Sequence, residues 1–218
     1  MAKEKPESII HYAEDDDTEK LRIWWKKNGT AIIVGLVLGI GSVAGYQGWN
    51  LYSANRNELA SDIYQSMLRD LEVGKLAEVS VSARQLVSDY KGTAYADTAL
   101  LMLAKISVEN ENYQEAIDYL STVVEVSKDS AFRQVARLRW ATLELSNGNL
   151  KSAEQLLSDQ EPGSFGARYD ELLGDIYAAK GEIEKAKQAY QDAIESSGSV
   201  TASQILSRKL NLIGGASE

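Results

Sequence analysis

The sequence has 218 residues and a formal net charge of −9; 44% of its residues are hydrophobic and 25% are charged. These proportions are ordinary for a folded protein and exclude a wholly disordered chain. From residue 56 onward, 25 acidic residues outnumber 17 basic ones, which argues against nucleic acid as a partner. The sequence contains no cysteine, which excludes disulfides and cysteine metal sites.

The first segment, residues 1–27, is polar and acidic. Within it we predict a short helix over residues 18–28, capped at Asp17 or Thr18. His11 is the only histidine of the chain. Because it lies in this polar tail, a solvated side chain is favoured over a functional one.

The next segment contains no charged side chain between residues 28 and 55. A bilayer core needs about 20 mainly apolar residues in helical form, so we predict a transmembrane helix over residues 28–52. A buried core helix would usually be shorter and amphipathic, whereas this stretch is apolar all round. A cleaved signal peptide would have a shorter apolar region that ends in a small-residue cleavage site. An uncleaved signal anchor is therefore favoured over both alternatives.

The charges on the two flanks of this helix differ. Behind it Arg56 stands alone until Arg69, whereas four basic residues precede it closely: Lys20, Arg22, Lys26 and Lys27. Flanking basic residues tend to remain in the cytoplasm, so we predict a cytoplasmic N-terminus and a translocated domain over residues 53–218. The protein would then be a single-pass type II membrane protein.

Aromatic and small residues add two features to the predicted span. Indole and phenol rings favour the headgroup depth of a bilayer, and they occur near both ends: Trp24, Trp25, Tyr46, Trp49 and Tyr52. Small residues four apart let a second helix approach closely, and the span has this spacing at Gly35, Gly39, Gly41 and Gly45. Glycine is also common in membrane helices in general, so a specific helix contact is one of two interpretations.

The clearest pattern of the chain lies in residues 169–193. It is similar to the tetratricopeptide repeat, whose characteristic offsets are filled here by Leu173, Gly174, Tyr177, Gly181, Ala186, Tyr190 and Ala193. Gly174 and Ala186 are small where two helices of a hairpin would cross closely, and Gly181 permits the turn between them. We therefore predict a helical hairpin here.

Weaker copies of this unit precede it. Ala116 and Ala153 lie upstream of Ala186 at close to the 34-residue repeat period, each after a polar turn. A degenerate unit is predicted over residues 57–90, and a last helix over residues 201–213 would seal the other end. The predicted fold class is all-α: a single transmembrane helix followed by a tetratricopeptide-like helical-hairpin solenoid.

The first helices of such units normally line a concave face, which is where these repeats bind partners. Several positions on this face are equally consistent with core packing, Leu101 and Leu138 above all. The candidate protein-binding residues are Thr98, Leu101, Lys105, Val108, Val135, Leu138, Thr142, Leu145, Arg168, Glu171 and Asp175.

Motifs for chemistry are missing from the sequence. With one histidine in the tail and no cysteine, histidine-based triads and thiol nucleophiles are excluded from the translocated domain. The glycine cluster lies in the predicted span and not after a strand, so it is no phosphate loop. We predict a protein that is not an enzyme and that holds no cofactor or metal.

Three features together resemble one family. A polar tail ends in Trp25-Lys-Lys-Asn-Gly29, a glycine-rich anchor ends in Gly48-Trp-Asn50, and a tetratricopeptide-like unit occupies residues 169–193. This combination resembles the ancillary SecYEG translocon subunits (the YfgM family) of Gram-negative bacteria, and the resemblance covers essentially the whole chain. It implies a bacterial inner-membrane protein with a periplasmic repeat domain, associated with SecYEG and with the membrane-anchored chaperone PpiD. It supplies no catalytic, cofactor or binding residues.

The predicted function is a non-enzymatic ancillary subunit of the Sec translocon. It would act as a scaffold or chaperone-like adaptor that links the export channel to periplasmic chaperones, with translocating polypeptides as a further class of partner. The alternative is a regulatory or envelope-organising membrane protein that acts through its cytoplasmic tail or its repeats. Deletion of residues 1–20 separates the two, because only the tail-driven regulator should lose its effect.

Overall fold

The structure is a computed structural model that describes residues 11–158 and 161–215. Within these ranges the chain is helical throughout apart from short turns, and it contains no strand. The helices are α1 (His11–Glu72), α2 (Leu76–Asp89), α3 (Ala94–Glu109), α4 (Tyr113–Val126), α5 (Ser130–Ser146), α6 (Leu150–Ser158), α7 (Gly166–Lys180), α8 (Ile183–Ser196) and α9 (Val200–Gly215), with a short 3₁₀ turn at Gly163–Phe165 before α7. The predicted all-α class is confirmed.

The start of α1 corrects one prediction. A separate short helix was expected to begin at a cap formed by Asp17 or Thr18, but both residues lie inside α1, which has begun by His11. Neither proline nor glycine occurs between His11 and Asn28, so nothing in that stretch interrupts the helix. The rest of the predicted tail, residues 1–10, lies outside the described residues.

The chain divides into two compact units, residues 1–55 and residues 56–218. In the first unit, the described residues from 17 onward form one helix whose apolar side chains are mostly exposed, Leu36 and Leu38 among them. Among the described residues, α1 is the one helix long and apolar enough to cross a membrane, judged by length and composition. The exposure of its apolar side chains is unlike that of a core helix, which buries them.

The second unit is built from helical hairpins whose turns share one geometry. The turn inside each of the four described hairpins contains one residue with a left-handed backbone: Gly74, Glu111, Gly148 and Gly181, with φ between 61° and 78°. At each turn this residue donates its N–H to the carbonyl three residues back, and the next residue donates to the carbonyl five residues back. This pair of hydrogen bonds ends a helix and reverses the chain. The predicted turns at Gly74 and Gly181 are confirmed.

Each hairpin buries a pair of residues of complementary size where its two helices cross. The first residue lies seven positions before the turn residue and the second lies nine positions after it, and all are buried. In the first hairpin a large residue is paired with a small one, and in the next three a small residue is paired with a large one. In chain order the pairs are Met67 with Ala83, Ala104 with Leu120, Ala141 with Leu157, and Gly174 with Tyr190.

Helix α9 takes the place of a further first helix at the end of the stack. Its Leu206 is buried in a cluster with Tyr190 and Ala193 of α8. Ala136 of α5 is buried in the same way against Leu120 of α4. The expected last helix is therefore present, with bounds a little wider than the predicted 201–213, and it covers an apolar edge that α8 would otherwise expose.

Candidate protein-binding groove

Helices α3 and α5 are the first helices of adjacent hairpins, and an open cavity of about 360 Å³ lies between them. Its floor is apolar, since Ala104 and Leu120 are buried there and Leu143 of α5 is half-buried. We call this cavity the α3–α5 groove. It is lined by Ala104, Lys105, Val108, Glu109, Leu120, Arg139, Thr142 and Leu143.

Charged side chains form the rim of the α3–α5 groove. The ammonium of Lys105 lies 3.7 Å from a carboxylate oxygen of Glu109, and both side chains are well exposed. Such an exposed pair contributes about 1 kcal/mol at most. Arg139 is exposed and forms no ion pair or hydrogen bond with any residue that the structure describes. The rim therefore carries a net positive charge on a domain that is acidic overall.

The structure brings three of the predicted binding residues together in this groove: Lys105, Val108 and Thr142. The others on α3 and α5 make contacts within the chain, and four of them pack in or against the core, as the alternative interpretation allowed. Leu101 is buried in the core between α3, α4 and α5. The Thr98 hydroxyl donates to the Ala94 carbonyl of its own helix at 2.8 Å. Three half-buried residues pack against neighbouring core clusters: Val135, Leu138 and Leu145.

The predicted binding residues of α7 are taken up by contacts within the chain. The ammonium of Lys209, on α9, lies 2.7 and 2.8 Å from the two carboxylate oxygens of Asp175 and 3.0 Å from Glu171. Arg168 donates to the other oxygen of Glu171 at 2.6 Å. The hydroxyl of Tyr190 donates to Asp175 at 2.7 Å. These carboxylates therefore hold α9 in place.

The same contacts shift two pKa values. Burial alone would lower the pKa of the Lys209 ammonium, but the hydrogen bonds and charges of Asp175 and Glu171 outweigh it and raise the pKa above its ordinary value. Burial, and then the hydrogen bond to Asp175, raises the pKa of the Tyr190 hydroxyl. Both shifts follow from a partly buried charge cluster that joins α7, α8 and α9.

Arg139 and Leu143 are groove residues that the sequence pattern did not identify. The prediction placed one face of each first helix toward a partner, whereas the groove also receives side chains from the adjoining face of α5. One signal was present: Arg139 lies three residues after the buried Ala136, as Lys209 lies three residues after the buried Leu206. Without the stack, nothing in the sequence relates these positions to a cavity.

The predicted helix-contact glycines Gly35, Gly39, Gly41 and Gly45 all lie in α1. A Cβ placed on any of them would meet nothing within 4 Å. Contact with another helix stays a prediction. Elsewhere in the described residues, no group of three His, Cys, Asp or Glu side chains is arranged to hold a metal ion.

Comparison with known proteins agrees with this architecture. Residues 22–215 match the family described as a tetratricopeptide repeat-like domain. The chain is 32% identical over 198 residues to the ancillary SecYEG translocon subunit of Haemophilus influenzae, covering 91% of this chain and 96% of that protein. The chain belongs to this family. A protein with the same name from Aggregatibacter actinomycetemcomitans is 31% identical, and the match covers 91% of this chain and 97% of that protein. Another from Escherichia coli is 25% identical, and the match covers 93% of this chain and 97% of that protein.

Solved structures support the fold. A double mutant of MamA from RS-1 superposes with a TM-score of 0.52 at 16% identity, covering 73% of this chain and 96% of that one. Residues 41 to the end of MamA from Desulfovibrio magneticus RS-1 superpose with the same TM-score at 17% identity, covering 73% of this chain and 94% of that one. At this identity the likeness concerns the fold alone.

Proposed function

We propose that the protein is an ancillary subunit of the Sec translocon that acts as a non-enzymatic scaffold between the export channel and periplasmic chaperones. The observation that carries this proposal is the match to ancillary SecYEG translocon subunits over nearly the whole chain, apolar helix and repeats included. The proposed domains are a cytoplasmic tail over residues 1–27, a signal anchor over residues 28–52 and a periplasmic repeat domain over residues 53–218.

The apolar part of α1 supports the proposed anchor in the bacterial inner membrane. Its side chains are exposed and apolar on every side, which suits lipid better than water. Four basic residues precede it and a single one follows closely, which favours a cytoplasmic N-terminus. An anchor of this kind would confine the repeats near the channel exit and raise their local concentration there.

The α3–α5 groove supports a binding role for the repeats. It joins an apolar floor to a charged rim, which is the usual composition of a recognition site. The proposed partners are SecYEG, the membrane-anchored chaperone PpiD, and translocating polypeptides. The scaffold would bind these proteins side by side at the membrane and would perform no chemistry on them.

Affinity purification of the full chain in mild detergent tests the proposal. We expect SecYEG subunits and PpiD to co-purify with a tagged chain from intact Gram-negative cells. A chain in which an unrelated membrane helix of equal length replaces residues 28–52 shows whether the glycines are needed or only the tether. Recovery of neither partner with the native chain would overturn the proposal.

Deletion of residues 1–20 separates this function from its rival. An export scaffold should keep SecYEG and PpiD after the deletion, because its contacts lie in the membrane and the repeats. A regulator that acts through the acidic tail should instead lose its effect, and that result would favour the alternative.

A further inference from the structure

The register of the hairpin stack defines equivalent positions between successive first helices, which we call junctions. One residue of the junction lies six positions before a turn residue, and the other lies three positions after a buried residue of the next first helix. The buried residues are Ala99, Ala136, Tyr169 and Leu206. By this register, the equivalent positions are Leu68 and Met102, Lys105 and Arg139, Thr142 and Leu172, and Asp175 and Lys209, in chain order among the described residues.

The chemistry of these junctions differs. At the last one, the ammonium of Lys209 lies within 2.8 Å of both Asp175 oxygens, so opposite charges join α7 to α9. At the first one both side chains are apolar, and at the third the buried Leu172 accompanies a hydroxyl. At the second, two cations line one cavity: Lys105 and Arg139. Like charges repel, so Lys105 and Arg139 do not join α3 to α5 as the ion pair of Asp175 and Lys209 joins α7 to α9.

The α3–α5 groove therefore lacks the carboxylate that neutralises the equivalent position at α9. Glu109 is the one acidic residue that lines it, and its carboxylate already lies beside Lys105. Arg139 keeps its guanidinium free of ion pairs among the described residues. A guanidinium and an ammonium that share a cavity form a good receptor for a carboxylate, which Arg can bind with two parallel hydrogen bonds.

We propose that the α3–α5 groove binds a segment of a partner protein in which an apolar side chain is flanked by Asp or Glu. The apolar side chain would lie on Ala104, Leu120 and Leu143. A flanking carboxylate would lie between Lys105 and Arg139, where it would do for this junction what Asp175 does for Lys209. The cavity volume of about 360 Å³ suits a short segment and not a broad folded surface. This inference rests on the scaffold function proposed above and names the chemistry of the partner.

Three synthetic peptides test the proposed chemistry. The first carries Leu and Glu in alternating pairs, the second has Lys in place of each Glu, and the third has Ser in place of each Leu. Each is dye-labelled and titrated by fluorescence anisotropy against the full chain in lipid nanodiscs, at low and at high salt. We expect the acidic apolar peptide to bind roughly tenfold more tightly than either of the others, and to weaken as salt rises.

Two charge reversals locate the site. Lys105→Asp places a carboxylate opposite Arg139 and so copies the junction between Asp175 and Lys209. We expect it to lower the affinity for the acidic apolar peptide at least roughly tenfold without lowering the melting temperature. Lys151→Asp makes the same charge change at an exposed position of α6, outside the groove, and should leave the affinity within about twofold.

The titrations test the groove, and co-purification tests the scaffold function. Equal binding of the acidic and basic peptides, or native affinity in Lys105→Asp, would overturn the proposed site. The scaffold function is scored separately by co-purification of SecYEG with the same variants. If SecYEG is recovered with the native chain while the peptide fails to bind, the groove inference fails and the scaffold function stands. If the peptide binds and SecYEG is absent, the scaffold function fails and the groove inference stands.

Discussion

The second hairpin (α3 and α4) and the last hairpin (α7 and α8) have the same turn geometry but fill equivalent positions differently. At the helix crossing, Ala104 faces Leu120 in the one and Gly174 faces Tyr190 in the other. The turn residue is Glu111 in the one and a glycine in the other. Six residues before the turn residue, the second hairpin has Lys105 and the last hairpin has Asp175.

These differences show that hairpins with the same backbone geometry can leave their charged side chains paired within the chain or available to a partner. The last hairpin satisfies its own charges, because α9 supplies the cation that its carboxylates need. The second hairpin presents Lys105 and the following first helix, α5, presents Arg139, so two cations lie beside one apolar cavity whose lining includes a single carboxylate, that of Glu109. The last hairpin together with α9, which we call the closed end, stabilises the stack. The α3–α5 groove, which we call the open junction, is where a partner can contribute binding energy.

Gly174→Ala should have the largest effect on the folded state. A Cβ at this position would lie 2.5 Å from two ring carbons of the buried Tyr190, so the ring or the helices must move. Overpacking of this kind costs about 1–3 kcal/mol. We expect a clear fall in the melting temperature of the repeat unit, followed by circular dichroism.

Two further variants test the cause. Gly166→Ala adds the same methyl group to α7 where nothing lies within 4 Å, and it should cost no stability. Combining Gly174→Ala with Tyr190→Leu restores the pairing seen between Ala104 and Leu120, so the double variant should lose less than the sum of the two single losses. Additive losses would contradict the proposed size pairing.

Lys209→Met should have the next largest effect. It keeps an apolar stem over Tyr190 but leaves Asp175 and Glu171 without their shared cation. The charge cluster is partly buried, so we expect a loss of about 1–2 kcal/mol, between the values for exposed and buried pairs. Faster hydrogen exchange in α9, with α3 and α4 unchanged, would show that the effect is confined to the closed end.

The pH dependence of this loss follows from the raised pKa of Lys209 in the folded protein. A lysine with a raised folded pKa contributes its full stabilisation below the pKa of the unfolded chain. That contribution disappears as the pH rises through the folded pKa. The stability difference between the native chain and Lys209→Met should therefore be constant near neutral pH and should shrink above about pH 10.4. A difference that persists at strongly alkaline pH would exclude the ion pairs as its cause.

The sequence predicts contacts within one hairpin better than contacts between successive hairpins. Gly181 and Ala186 were predictable because a turn and a helix crossing depend on residues close together in sequence. The contact of Lys209 with Asp175 and the position of Arg139 in the groove were not, since both depend on how successive hairpins stack. Glu171 and Asp175 were predicted to bind a partner, and in the structure both carboxylates contact Lys209 of α9.

Glu111→Gly should have the smallest effect, and its sign is opposite. Glu111 is the one residue other than glycine with a positive φ in the described part of the chain, at 61°. A left-handed backbone costs an L-residue roughly 1–2 kcal/mol, but glycine also adds freedom to the unfolded chain, so we expect a net gain of about 0.5–1 kcal/mol. The reverse change at an equivalent turn, Gly148→Ala, should lower stability by a similar amount. Chemical denaturation measures both, and a loss of stability in Glu111→Gly would mean that this side chain contributes more than its backbone strain costs.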